Sequence, residues 1–437
     1  MFQRFSPPAN QPKYRFRCLF CGAEYAPDPF RLHCDQEHEP SLLRAVYASQ
    51  QLTVRPQLPG LFQFIDWLPV EQYLSNVGKP ITYQSQGLAQ HLGLEQLWIS
   101  FSGYWPERNA RLLTCSFKEL EAVTVLARIP QENQQVLAIS SAGNTGRAFA
   151  QIYSRHGIPL CLVIPEKSLP AIWASESFNP SVRLVIVNKS EDYFDAIQLG
   201  RLISKLDGFF PEGGAANIGR RDGMGLTVID AAVTLGRIPD HYFQAVGSGT
   251  GGIAAWEANL RLLQDGRFGE QAMTLHLAQN APFTPMVDAW KAGEREIEEM
   301  TASVAKMRIN QASAKVLTNR QPAYSIAGGV YDALTASQGS MYAVTNAEAQ
   351  QARALFAELE GIDICPASGV AAAALLQAVQ SGKVHKAETL LLNITSGGFE
   401  RLQTECKLHY LKPSLGIDAQ AISPEFVASR QSDFCPD

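Results

Sequence analysis

The chain has 437 residues, enough for two or three domains at about 150 residues each. Hydrophobic residues make up 46% and charged residues 18%, which excludes a disordered chain and leaves room for a sizeable core. A formal charge of −5 is small for this length and gives no ground for a nucleic-acid or anionic-membrane partner, so any pocket for an anion must be built locally.

The opening segment, MFQRFSPPANQPKYRFRC, is polar and proline-bearing and carries no apolar stretch for export. No apolar run approaches the roughly 20 residues that cross a bilayer. The expectation is a cytoplasmic protein whose eight cysteines are thiols or metal ligands rather than disulfides. Residues 1–55 hold Cys18, Cys21, Cys34 and His38 in a C-x₂-C-x₁₂-C-x₃-H pattern. Three thiolates and one imidazole form an accepted tetrahedral zinc set, with His33 as a competitor for the fourth place. The alternative is a degenerate knuckle with free thiols.

Residues 56–60 read as a linker. Beyond them, short apolar runs at 97–101, 136–140, 160–164, 182–187, 243–246, 273–277 and 389–394 alternate with helix-like stretches such as 116–127, 145–156 and 254–264. Runs that are apolar throughout suit strands buried on both faces, and β-then-α alternation predicts an α/β fold with mostly parallel sheets. The predicted division is a front arm at 1–55, a large domain from 56–110 plus 225–437, and a small domain at 111–224. In such folds ligands sit where strands end and glycine-rich loops lead into helices.

Four loops of that kind follow in chain order. In Ser116-Phe117-Lys118-Glu119, Ser116 can cap the next helix, which puts Lys118 in a first turn that is already positive. Such surroundings lower a lysine pKa and make it a nucleophile or Schiff-base partner, although most lysines are simply solvated. In Ser141-Ala142-Gly143-Asn144-Thr145-Gly146-Arg147, small residues allow close backbone approach, Asn144 offers an amide and Arg147 offers a fork-shaped anion ligand. The run Gly247-Ser248-Gly249-Thr250-Gly251-Gly252 suits a phosphate cradle at a helix start, and matches neither the dinucleotide nor the P-loop fingerprint. Thr395-Ser396-Gly397-Gly398 closes the last strand with hydroxyls and glycines. Each loop alone is also compatible with an ordinary structural turn.

Together and in this order, the loops resemble the fold type II (β-family) pyridoxal phosphate (PLP) enzymes, and within them the threonine synthase branch. Asn217-Ile218-Gly219-Arg220-Arg221-Asp222-Gly223, Glu360-Gly361-Ile362 and Pro366-Ala367-Ser368-Gly369 also resemble segments of that branch. The resemblance covers about residues 60 to 400. It implies a tryptophan synthase β-like architecture with the cofactor between domains. It implies Lys118 as the Schiff-base lysine that later moves a proton, Asn144 at the cofactor's 3′ oxygen, Gly247 to Gly252 at its phosphate, and Thr395 by its pyridine nitrogen. A hydroxyl there, in place of a carboxylate, favours elimination and replacement chemistry.

Departures narrow the resemblance. Gly146-Arg147 follows Thr145, Glu119-Leu120-Glu121 follows Lys118, and Cys365 stands where the branch has a glutamate. With His276-Leu277-Ala278-Gln279-Asn280 and Leu317-Thr318-Asn319-Arg320, these details resemble the cysteate synthases. That resemblance implies β-replacement on O-phosphoserine by sulfite, through an aminoacrylate, giving cysteate and phosphate. Ser116, Ser141, Thr145 and Arg147 are then expected to bind substrate, with Arg111 or Arg320 as helpers to Arg147. The other readings are a threonine synthase acting on O-phosphohomoserine with water, another β-replacement enzyme, or a non-catalytic regulator. One methylene is worth only about 1–3 kcal/mol in a pocket, so the first two are hard to separate. Cys115 reads as a packing residue, and the family implies a homodimer. Some threonine synthases carry a similar N-terminal knuckle with a fourth cysteine, which is absent here.

Overall fold

Each of the seven predicted runs lies in or overlaps a strand of the computed structural model, which describes residues 2–5, 12–189 and 194–436. The proline-bearing stretch 6–11 of the opening segment lies outside the described residues. The larger sheet has six strands, in the order Ser340–Val344, Thr274–Asn280, His241–Ala245, Thr389–Ile394, Gln96–Phe101 and Ile81–Gln84. All neighbours are parallel except the last pair. The smaller sheet has five parallel strands, Phe209–Pro211, Val136–Ser140, Leu160–Pro165, Val182–Asn188 and Leu415–Asp418.

The physical reason for the apolar runs is visible in Thr389–Ile394. Leu390, Leu391 and Leu392 are all fully buried although they point to alternate faces. Burial of each contributes on the order of 1.5–3 kcal/mol. Leu390 and Leu392 pack into one core with helix Pro366–Gln380, while Leu391 packs into the other with helices Ile218–Leu235 and Thr250–Asp265. The two-layer covering of a parallel sheet thus dictates the sequence.

One boundary differs from the sequence division. Residues 225–437 were assigned to the larger unit, but Leu415–Asp418 crosses over and pairs in parallel with Val182–Asn188. Its register runs from Leu415 opposite Val185 to Asp418 opposite Asn188. Four residues with one buried apolar side chain, Ile417, are too weak a pattern to reveal the crossover.

The front unit is a three-stranded antiparallel sheet of Tyr14–Cys18, Glu24–Tyr25 and Leu43–Tyr47. It rests on segment 326–328, where Leu42 N–H donates to the Ala327 carbonyl at 3.0 Å. Residues Leu317, Ala323 and Val330 of the same region border the Gly247 to Gly252 loop. Among the described residues no helix is long and apolar enough to cross a membrane.

Candidate active site

The loop before Lys118 is pinned to the loop after Thr389–Ile394. Phe117 N–H donates to the Thr395 carbonyl at 2.9 Å, and Ser396 Oγ donates to the Cys115 carbonyl at 2.6 Å. Cys115 sits at φ +52°, a left-handed conformation that is unfavourable for a residue with a side chain. Cys115 is buried beside Trp173 and Leu402, and burial pushes its thiol well above the ordinary range, as fits a packing residue. Ser116 is fully buried, and its hydroxyl accepts from Lys118 N–H at 3.2 Å, so it holds the turn and presents no free face to a ligand.

Helix Lys118–Arg128 therefore begins at the lysine itself. Lys118 Nζ donates to Glu121 Oε2 at 3.1 Å and lies 4.7 Å from the centre of the Phe117 ring. Burial pulls its pKa below the ordinary lysine value; the Glu121 carboxylate opposes that pull and the Arg220 cation adds to it. The side chain keeps 17% of its surface exposed, enough to be reached from the cleft.

Around Lys118 the fold gathers charges that sequence reasoning did not assign. Glu121 Oε2 also lies 3.0 Å from Arg220 Nε, and Arg220 Nη1 donates to Glu212 Oε2 at 2.7 Å. Arg220 Nη2 donates to Thr145 Oγ1 at 3.3 Å, which ties this cluster to the Asn144 loop. Glu121 is fully buried, and its Oε1 has no partner among the described residues. A signal for Glu121 existed: it stands three residues after Lys118, on the same helix face. Arg220 stood in a segment already singled out, but only the packing of helix Ile218–Leu235 on Lys118–Arg128 gives it a place.

Helix Asn144–His156 starts at the second loop, with the half-exposed Ser141 just before it. A side chain at Gly146 would collide with the Ser141 carbonyl, so glycine is required there for the close turn. Arg147 is only 8% exposed. Its Nε and Nη2 donate to the Thr114 carbonyl at 3.2 and 3.0 Å, and Nη2 also donates to Asn144 Oδ1 at 2.9 Å. Its guanidinium lies 4.4 Å from the centre of the Trp173 ring, and burial brings its pKa down to about 10. The expected helpers, Arg111 and Arg320, are both exposed, whereas Arg147 is buried.

The third loop joins strand His241–Ala245 to helix Thr250–Asp265. Gly249 has φ +83°, where a side chain would also collide with Val330. A Cβ at Gly247 would come within 2.9 Å of the backbone of Val316 and Leu317. Ile253 N–H bonds the Gly249 carbonyl at 3.1 Å, so the N–H groups of Thr250, Gly251 and Gly252 precede the helical ladder, where an anion can be bound, and Thr250 N–H has only a long bond to Ser248 Oγ at 3.5 Å. Ser248 and Thr250 hydroxyls lie 2.8 Å apart. Thr395 is 6% exposed at the end of the neighbouring strand.

At the front end, Cys18, Cys21, Cys34 and His38 place one ligand atom each within 4.8 Å of one another. The pair Cys21 Sγ and Cys34 Sγ is 3.7 Å apart, against about 3.8 Å for two thiolates on a tetrahedral zinc with Zn–S near 2.3 Å. His38 Nδ1 is 2.6 Å from the Glu39 carbonyl, which can only accept. Nδ1 therefore carries a proton, and Nε2 is the ring nitrogen that faces Cys18 Sγ at 3.3 Å. His38, and not His33, completes the cluster.

Residues 76–396 match the model of the family described as pyridoxal-phosphate dependent enzyme. The chain belongs to that family. It is 50% identical to a cysteate synthase of Methanosarcina acetivorans over 93% of this chain and 97% of that protein. It is 48% identical to a cysteate synthase of Methanocella paludicola over 94% of this chain and 96% of that one. Within the family it therefore belongs with the cysteate synthases. Maize serine racemase has the same fold, with a TM-score of 0.55 at 13% identity over 75% of this chain and 91% of that one. A threonine deaminase from Solanum lycopersicum gives 0.53 at 16% identity over 74% and 81%. The fold is thus that of the fold type II PLP enzymes, and the chain is a PLP-dependent enzyme.

The residues present fit that cofactor. A desolvated lysine, a glycine-rich helix start and the half-exposed Asn144 amide stand on loops of the two sheets that are linked to one another, Lys118 to Thr145 through Glu121 and Arg220, and Gly143 to Gly247 through Val316. The Thr395 carbonyl ties the lysine loop to the same strand ends. These are the groups needed for an aldehyde, a phosphate and a phenolic oxygen respectively.

Proposed function

We propose that this enzyme replaces the phosphate of O-phospho-L-serine with sulfite, giving L-cysteate and inorganic phosphate. The observation that carries the reading is near-50% identity to cysteate synthases along almost the whole chain, with the Lys118 loop intact. The carbon–oxygen bond to phosphate breaks and a carbon–sulfur bond forms at the same β-carbon. Bound PLP supplies the acidity of the substrate's α-proton and a sink for its electron pair.

The chain's own residues supply the rest. Lys118 is the amine that would hold the cofactor and is placed to take the α-proton; its lowered pKa leaves more of the neutral form for this work. Glu121 holds the ammonium form of that amine and keeps Arg220 in place. Gly247 to Gly252 would hold the cofactor's phosphate by backbone N–H groups, Asn144 its 3′ oxygen, and Thr395 its ring nitrogen. Ser141, Thr145 and Arg220 border the substrate side, where leaving group and nucleophile are both oxyanions.

The test is phosphate release from O-phosphoserine with and without sulfite, with O-phosphohomoserine as the control and products identified by mass. Cysteate formed only with sulfite supports the reading. Threonine from O-phosphohomoserine, or no product from phosphoserine, overturns it.

We further propose that Cys18, Cys21, Cys34 and His38 hold a structural zinc ion, that the protein works in the cytoplasm, and that it is a homodimer. Metal analysis and sedimentation test the first and last of these. One zinc per chain supports the metal site, and a monomeric mass overturns the dimer.

A further inference from the structure

We propose that Arg147 is a positioning residue, which fixes the side-chain amide of Asn144 so that its NH₂ faces the cofactor's 3′ oxygen. The inference rests on the reading of Asn144 as a cofactor ligand.

A primary amide can present either its oxygen or its nitrogen to a partner, and the two are exchanged by one rotation. A guanidinium has donors only. Arg147 Nη2 at 2.9 Å therefore compels Asn144 to turn its Oδ1 toward the arginine and its Nδ2 away from it. Arg147 is one turn further along the same helix and almost wholly buried, whereas Asn144 is half exposed. The NH₂ group is the part of the amide left for the cleft, and a phenolic oxygen is an acceptor for it.

Arg147 can impose this orientation because it is itself held. Nε and Nη2 both reach the Thr114 carbonyl, and the guanidinium lies over the Trp173 ring. Trp173 is buried and leans on Phe399, with ring centres 5.0 Å apart. Thr114 N–H is fixed in turn by Glu119 Oε2 at 2.9 Å. Thr114 stands four residues before Lys118. A single side chain thus links the loop that carries the lysine to the amide that would face the same cofactor. The expectation from sequence, that Arg147 supplies the substrate's oxyanion pocket, meets a guanidinium whose Nε and Nη2 are already engaged with protein acceptors.

The experiment is a double-mutant cycle with Arg147→Met and Asn144→Ala, read out as PLP affinity by equilibrium dialysis and as the pH dependence of the bound cofactor's visible absorption. Methionine keeps much of the stacking length over Trp173 and removes every donor. Each single variant is expected to weaken PLP by about tenfold and to change the band's pH profile. The double variant is expected to be no worse than Asn144→Ala alone, because the arginine acts through the asparagine. Additive losses overturn the proposal. So does an unchanged cofactor with a raised KM for O-phosphoserine, which returns Arg147 to the substrate pocket. An Asn144→Ala variant with normal affinity and band overturns the underlying reading of Asn144 as well. If Arg147→Met does not fold, Arg147→Lys replaces it in the cycle. Lysine keeps the charge but lacks the fork that reaches Thr114 and Asn144 together, so a smaller, still non-additive loss is expected.

Discussion

The front-end cluster takes all its ligands from one stretch, Cys18 to His38, whereas the Lys118 cleft takes its groups from four loops between Thr114 and Gly398. The first is held together by a small sheet and a turn, the second by the packing of two large sheets and the helices between them. A site drawn from one short stretch has few supports, although Cys18 also joins the main core with its sheet. A site assembled from distant loops shares its supports with the core, so damage to either reaches the other.

The largest expected effect lies in the cleft. Lys118→Ala removes the amine proposed to hold the cofactor and move the proton, and kcat/KM for cysteate formation should fall by at least about 10²–10⁴-fold. The lysine-linked cofactor absorption should vanish while the circular dichroism spectrum stays unchanged. Loss of activity with that absorption intact would remove Lys118 from the role assigned to it.

Metal removal sharpens the contrast. Chelation, or Cys21→Ser, should release one zinc and loosen the front sheet, seen as faster amide exchange over Tyr14–Cys18 and Leu43–Tyr47. The cofactor band should persist. Because Leu42 and Ser41 contact Ala327, and that region borders the phosphate loop, a modest fall in PLP affinity is the furthest reach expected. Complete loss of cofactor on chelation would show that the two regions are not separable.

Gly249→Ala tests whether the phosphate loop and the core share supports. At φ +83° and against Val330, alanine should cost about 1–3 kcal/mol of stability. It should weaken PLP in the same variant, measured by melting with and without cofactor. An effect on only one of the two would separate what the structure joins.

The smallest effect concerns pH. Glu121 raises the Lys118 pKa against the pull of burial. Glu121→Gln removes that support, so the amine should lose its proton at lower pH. The pH midpoint for reconstitution of apoenzyme with PLP should then move to the acid side. A midpoint displaced to the alkaline side would contradict the ion-pair assignment.

Much of this was legible in the residues. The strand runs were readable because burial between two helical layers demands apolar side chains at consecutive positions, as in Leu390 to Leu392. The loops were readable because close backbone approach demands glycine, and Gly146 and Gly249 each meet a neighbour that leaves no room for a side chain. The Cys18, Cys21, Cys34 and His38 cluster was readable because its four residues are close in sequence. The crossover of Leu415–Asp418 to the smaller sheet was not, since four residues with one buried apolar side chain carry too little pattern.

What the sequence determined by itself is therefore the α/β class and the tight glycine turns that end its strands, because these depend on periodicity and on glycine. Only the tertiary structure decided which charges surround Lys118 and what Arg147 faces. Glu121, Arg220 and Glu212 meet through the packing of separate elements, and Arg147 turns inward to Thr114 and Asn144. The chemistry of an arginine is fixed by its identity, but its role depends on which acceptors the fold brings within 3 Å of it, and no local pattern records that.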